Sequence, residues 1–467
     1  MSKAASRHPH SRTACDRCYK LKERCHRQDE ASRCERCIRL DIQCATVRPA
    51  KAVGRRLRPV SRYGVLGGVA HQPSIGDFLR DHVDLQPEEK HLLLSLLTGS
   101  DGLDYHVASP GLQAQQQVTL ANQLRDNLPL LKDAYLALAI TMKQLHTGVK
   151  TDADTTLSLE HIARGMSILR AFSTLQIPDT AVCNTLGSVL SFSAYASVGV
   201  GVAEIFRHCL TLGEKSSRAP DLRVKDDPWH SYLSFMDTID SFVHRRRPTS
   251  QICASVVEID PHFGLCLPLL PFYHDLSIIS SSMCSYTTSS STAVFDQQLE
   301  KIHKAVQSWK PSSNQLETLS ERFTTPEVVT LLAQAKAYRL GALLMAHRLR
   351  YPFGEEDAQA DIWSKELLME LELAASVTKQ SLRFVTLPFL IAAVEVQDQA
   401  QRQTTLLDTE RYVDKFAPAM QRVTRTFLSR VWEERDCSIT TRWFDSVHKP
   451  CPVFEAINET VLKGLQT

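Results

Sequence analysis

From about residue 86 onward, apolar residues recur every three or four positions, the period of a helix buried along one face. Leu131, Ala134, Tyr135, Leu138, Met142 and Leu145 share one such face. Residues 155–176 and 178–213 continue the pattern, the second with a break expected near Gly199 and Gly201. Trp229 to Thr249 is helical in spacing and ends in Arg245, Arg246, Arg247 and Pro248, cations that suit a helix C-terminus. Three more helices are expected: 328–349, one through Leu367 and Leu371, and one through Val413, Phe416, Met420, Phe427 and Val431. Residues 277–292, dominated by Ser and Thr, read as a surface loop. Residues 355–373 mix acidic and apolar positions. They read as an ordinary helix with an acidic solvent face in preference to an activation segment.

Before residue 86 the pattern is different. Residues 46–85 hold Pro49, Pro59, Pro73 and several glycines, the composition of a linker. Leu92, Leu93, Leu94, Leu96 and Leu97 make one short apolar patch closed by Gly99 and Gly102, well short of a coiled coil. Dimerisation, where it occurs, then has to come from the helical body. The fold class expected is mainly all-α, with a cysteine cluster at 13–45, a flexible basic linker at 46–85 and a large helical domain at 86–467.

Charge sharpens this division. The net +2 conceals a basic head: residues 1–62 carry 17 Lys and Arg against 6 Asp and Glu, the rest 37 against 46. A head at +11 on a body at −9 suggests that the head alone meets nucleic acid. No run of eighteen apolar residues occurs, so no membrane span is expected. The linker cations Lys51, Arg55, Arg56, Arg58 and Arg62 fit a nuclear import signal or a contact to a DNA backbone.

The chemistry is concentrated in CDRCYKLKERCHRQDEASRCERCIRLDIQC, residues 15–44. Cys15, Cys18, Cys25, Cys34, Cys37 and Cys44 form two copies of a C-x-x-C pair followed, six residues on, by a lone Cys. Six thiolates fill the eight positions of two tetrahedral zinc ions only when two of them bridge. The repeat points to the first of each half, Cys15 and Cys34. Two zinc ions against six thiolates leave the core near −2 by formal count, which the surrounding Arg and Lys offset. A disulfide scaffold fits close C-x-x-C pairs poorly. The other seven cysteines show no motif spacing and read as buried free thiols.

Residues 13–45 resemble the fungal zinc binuclear cluster family of transcription regulators. The resemblance implies two zincs bridged by the first and fourth cysteines, a short helix after each C-x-x-C pair, and a first helix that enters the major groove. It implies that Lys22, four places after the second Cys, reads a CGG triplet in double-stranded DNA. A Lys ammonium can reach the two acceptors on the guanine edge. Arg17, Lys20, Arg24, Arg27, Arg36 and Arg39 are then phosphate contacts, and Arg33 crowds the same module. The sequence departs from the family at Tyr19 and Leu21, where basic residues are usual, and at Ser32, usually Pro.

The body resembles, more diffusely, a second type of fungal-specific transcription factor domain. Its matching positions are Pro388, Phe389, Glu395, Arg402, Val431, Trp432, Arg435 and Asp436. Trp229 to Thr249 is similar to the middle homology region of such regulators. Together these imply a nuclear regulator of RNA polymerase II genes, of the kind that serves metabolic or secondary-metabolite pathways. They leave open any small-molecule effector and a homodimer through the body. No catalytic motif occurs: no G-x-S-x-G, Walker loop, HExxH or complete G-x-G-x-x-G. The alternative is a zinc-stabilised scaffold for a protein partner, for which Tyr19, Leu21 and Ser32 leave room.

Overall fold

The computed structural model describes residues 15, 18, 25, 33–44, 74–172, 177–197, 202–216, 228–252, 259–285, 289–380, 382–439 and 442. The chain divides into two compact units, Met1–Gln72 and Pro73–Thr467. In the first, the described helix is α1, Glu35–Arg39.

The second unit is helical. It runs through α2 (Ile75–Asp81), α3 (Pro87–Thr98), α4 (Gln113–Thr147), α5 (Asp152–Ala171), α6 (Ile177–Ser197) and α7 (Val202–Ser216). It continues through α8 (Pro228–Val243), α9 (Leu270–Ser285), α10 (Ser289–Ser308), α11 (Ser313–Arg322) and α12 (Thr325–Arg350). It closes with α13 (Asp357–Thr378), α14 (Thr386–Ala393), α15 (Gln399–Tyr412) and α16 (Pro418–Asp436). No strand forms among the described residues, where one isolated antiparallel bridge joins Asp260 to Gly264. The mainly all-α expectation holds.

Local chemistry sets the boundaries. The Ser74 hydroxyl accepts from the Asp77 amide and starts α2, which seats on α3 and α4 and buries Leu79. The helical body therefore begins at residue 74, inside the stretch that reads as linker. In α4 the expected apolar face is buried, and the helix bends at Asn127 (φ −136°) because Pro129 cannot complete the ladder. α6 ends at Ser197 and α7 begins at Val202; the expected break at Gly199 and Gly201 lies outside the described residues.

Three expectations fail for identifiable reasons. Most of 277–292 is helical, in α9 and α10, because Ser277 and Ser280 are small enough to sit buried at a helix contact. Val413 and Phe416 precede the helix that was expected to contain them, because Pro418 starts α16 afresh. The solvent face of α13 is not simply acidic: Ile362, Met369, Leu373 and Val377 stand exposed on it.

Much of the C-terminal half packs around α12, which meets α10, α13 and α14. By length and composition α12 could cross a membrane, yet 72% of its most apolar window is buried inside the body. Gly341 admits Tyr273 there: a Cβ would stand 2.8 Å from the Tyr273 hydroxyl, which donates to the Tyr338 carbonyl at 2.7 Å. The N-terminus of α12 is fastened by Glu327, whose carboxylate closes a capping box with Thr324 and accepts from Ser109 Oγ at 2.7 Å and Gly111 N at 2.6 Å.

At its other end α12 presents Arg348, whose side chain is 1% exposed. The guanidinium donates to both oxygens of Glu395 at 2.9 and 2.6 Å, and to Asp357 at 2.8 Å. It also donates to the carbonyls of Pro352 and Glu355. A bidentate, fully bonded pair is the geometry in which a buried charge is tolerated. Replacing Arg348 with Ala strands Glu395 in the core. We expect Arg348→Ala to lower urea-unfolding stability by about 3–5 kcal/mol, and a paired Arg348→Met/Glu395→Leu variant to recover much of that loss.

A second buried polar set lies where the turn of Asp104–His106 meets α6 and α8. The His106 and His262 rings are 5.2 Å apart, walled by Phe192, Trp229 and Tyr232. Burial holds His106 neutral, down to about 4, and His262 well below the usual imidazole value. Their stability contribution is complete above pH 6.5 and is lost as pH falls toward 4, up to about 3 kcal/mol for His106. Asp260 and Asp414 act in the opposite sense. Burial raises both carboxyls to about 6, so they add stability as pH drops from 6 toward 3.8. His347, also lowered to about 4 by burial, acts with the two histidines, so the wild-type urea midpoint should fall between pH 6.5 and 5, and that of His106→Leu should fall less than wild type over that range.

Candidate metal centre

Within the first unit the described cysteines repeat one local geometry twice. The Cys18 amide donates to Cys15 Sγ at 3.4 Å, and the Cys37 amide to Cys34 Sγ at 3.4 Å. The Cys15 amide donates to Cys25 Sγ at 3.4 Å, and the Cys34 amide to Cys44 Sγ at 3.4 Å. Each C-x-x-C pair therefore wraps its first sulfur in an amide turn, and each first amide holds the lone third sulfur of its own half. In the second half the turn opens α1, with Cys34 as its N-cap and Cys37 on the inner face.

Across the halves, Cys15 Sγ lies 3.9 Å from Cys34 and 3.8 Å from Cys37, and Cys18 lies 3.8 Å from Cys34. The sulfurs of Cys15, Cys18, Cys34 and Cys37 all fall within 4.8 Å of one another, and all four residues are buried. Four sulfurs bound to one zinc at about 2.3 Å stand about 3.8 Å apart along the tetrahedron's edges, so this spacing suits zinc. Cys25 and Cys44, half-buried, pack against the four.

The electrostatics single out the first cysteine of each half. Burial pushes the Cys15 thiol up, but the Cys18 amide and the Cys18, Cys37 and Cys34 thiols outweigh it and bring it down to about 6. Cys34 is lowered in the same way, against its burial, by the Cys37 amide and neighbouring thiols. Burial and adjacent sulfur raise Cys18, Cys25 and Cys37. The two sulfurs that most readily become thiolates are thus the first of each half, which lie 3.9 Å apart.

The cationic positions divide differently. Arg36 is half-buried and Arg39 exposed on α1. Arg33 is committed within the module, donating to the Ile42 carbonyl at 2.6 Å beside Asp41. Arg17, Lys20, Lys22, Arg24 and Arg27 lie outside the described residues, as do Lys51, Arg55, Arg56, Arg58 and Arg62. Beyond the module, Cys183, Cys209 and Cys266 are buried free thiols as expected, while Cys437 is exposed. Of the arginines that follow α8, Arg245 donates to the Ser280 carbonyl and Arg246 to Asp240, so both are held within the body.

The body's motif positions converge. Trp432 Nε1 donates to the Ala393 carbonyl at 3.0 Å, and Arg435 to the Val394 and Val396 carbonyls at 3.0 and 2.7 Å. Arg402 donates to Val396 O and to Asp436, and its guanidinium stacks over Trp432. These side chains satisfy the carbonyls left open at the C-terminal end of α14. Glu395, in the same turn, is the partner of Arg348. Sequence reasoning missed Arg348 itself, because a cation near a helix C-terminus needs no partner to explain it.

Residues 228–452 match the model of the fungal specific transcription factor domain. Comparison with curated proteins and with solved structures gives no match. The helical body thus carries a fungal specific transcription factor domain, and the cysteine cluster of the N-terminal unit fits a zinc cluster. The matched domain supports a transcription regulator, and its family implies DNA as a partner and the nucleus as its location. The matched family is not one of enzymes.

The metal centre generates its own test. Cys34→Ser should lower bound zinc measured by atomic emission, whereas Cys209→Ser should leave it unchanged. The far-UV helix signal of the body should survive chelation, since its buried cysteines lie outside the sulfur cluster.

Proposed function

We propose that the chain is a sequence-specific DNA-binding regulator of RNA polymerase II genes, with two zinc ions shared among six thiolates. The observation that carries this is the doubled sulfur geometry. Cys15 and Cys34 lie 3.9 Å apart, and each also lies 3.8 Å from the second cysteine of the other half, which suits them to bridge two metals. One zinc would take Cys15, Cys18, Cys25 and Cys34, the other Cys15, Cys34, Cys37 and Cys44. Every position is then a thiolate, leaving no open site for water, so the zinc is structural.

On this reading the first cluster helix enters the major groove and Lys22 reads the guanines of a CGG-type triplet. Arg17, Lys20, Arg24, Arg27, Arg36 and Arg39 meet phosphates, and Lys51, Arg55, Arg56 and Arg58 serve nuclear import. The helical body controls assembly, with a homodimer as its simplest product. The resemblance to regulators of metabolic and secondary-metabolite pathways supports a target of that kind. A second reading, a scaffold for a protein partner, is favoured by Ile38 and Leu40, which stand 57% and 48% exposed on the small module.

A random-sequence DNA selection with the zinc-loaded full chain separates the two. Enrichment of CGG-type triplets at physiological salt is expected. Lys22→Ala should then weaken the cognate site by about 1–3 kcal/mol with zinc content unchanged. Binding that prefers no sequence and collapses steeply with salt would favour the scaffold.

A further inference from the structure

A cavity of about 380 Å³ opens in the helical body where four segments meet. Its walls are the turn of Asp104–Pro110, Thr330 of α12, the link from α13 to α14, and the end of α15 with the link that follows it. Ala108, Leu382, Val413 and Phe416 are buried and form its floor. Pro110, Gln380, Arg411 and Lys415 are exposed at its mouth. An apolar floor beneath a few polar groups is the usual build of a small-molecule site, and the volume falls at the small end of that range.

The walls are held by the protein itself. Arg383 donates to the Asp104 carboxylate at 2.7 Å, to the Asp104 carbonyl, and to the Val107 carbonyl at 3.3 Å, which ties two walls together. Phe384 stands in the left-handed region (φ 54°), where a bulky side chain is strained. It is pinned from two directions. Its amide donates to Asp414 at 3.1 Å, and its carbonyl accepts from the Tyr338 hydroxyl at 2.8 Å. Phe416 is backed by Phe192 of α6, with ring centroids 4.5 Å apart.

The charges narrow the choice of guest. Both wall carboxylates are already engaged: Asp104 by Arg383, and Asp414 by the Phe384 amide and by the Thr386 hydroxyl at 2.7 Å. Arg411 pairs with Asp408 at 3.6 Å. Lys415 has no ion-pair partner among the described residues. A neutral guest would leave that ammonium unmatched. A phosphate dianion would bring more charge than one lysine offsets and no hydrocarbon for the floor.

We infer that this cavity binds a small monocarboxylate with an apolar body. The hydrocarbon part lies on Leu382, Val413 and Phe416, and the carboxylate meets Lys415 at the mouth. The inference concerns the body alone and does not depend on what the head reads.

The test is calorimetric titration of the full zinc-loaded chain, without DNA, with hexanoate, benzoate and phenylacetate, each beside its primary amide, and with inorganic phosphate. At least one acid should bind saturably, and its amide about tenfold more weakly. Lys415→Ala should weaken that acid about tenfold and Lys415→Arg should preserve it, both with an unchanged urea midpoint because the side chain is exposed. The bound acid should slow amide hydrogen exchange at Leu382–Phe384 and Val413–Phe416. Failure of all three acids at millimolar concentration, equal binding of acid and amide, preference for phosphate, indifference to Lys415→Ala, or protection confined to other segments would each overturn the inference.

Discussion

The buried pair of Arg348 and Glu395 constrains the C-terminal half of the body. A guanidinium with a 1% exposed side chain has no water to fall back on, so its donors must be met by protein. Meeting them fixes three things at once. Glu395 comes from the turn after α14, Asp357 from the first turn of α13, and the Pro352 and Glu355 carbonyls from the link between α12 and α13. A displacement of any of these elements would leave a charge or a carbonyl bare. The same turn then receives Trp432, Arg435 and Arg402 on its open carbonyls, which brings α15 and α16 into register.

The cysteine unit is held by a different force. Its described residues offer little apolar packing apart from the sulfurs, with Ile38 and Leu40 turned outward. A module of this size cannot bury enough surface to offset its conformational entropy, and thiolate–metal bonds would supply what the core does not. Amide donors to Cys15 and Cys34 prepare for this by favouring the anionic sulfur before any metal arrives. The body needs no such aid, because α12 alone buries most of its length against other helices.

What could be read from the sequence follows this distinction. Metal chemistry is local: spacing alone brought the two C-x-x-C pairs of Cys15, Cys18, Cys34 and Cys37 together, and the sulfurs meet as expected. Helix existence is also local, since the 3.6-residue period is written in the apolar positions. Boundaries and polar pairings are not. Nothing near Arg348 announces Glu395, 47 residues away, and nothing in a Ser-rich stretch says that Ser277 and Ser280 will be buried. The acidic character of 355–373 obscured the exposed apolar side chains of α13 for a similar reason. Glu366 and Glu370 turn toward Lys336, which the sequence does not place beside them, and Ile362 and Met369 are left to face solvent.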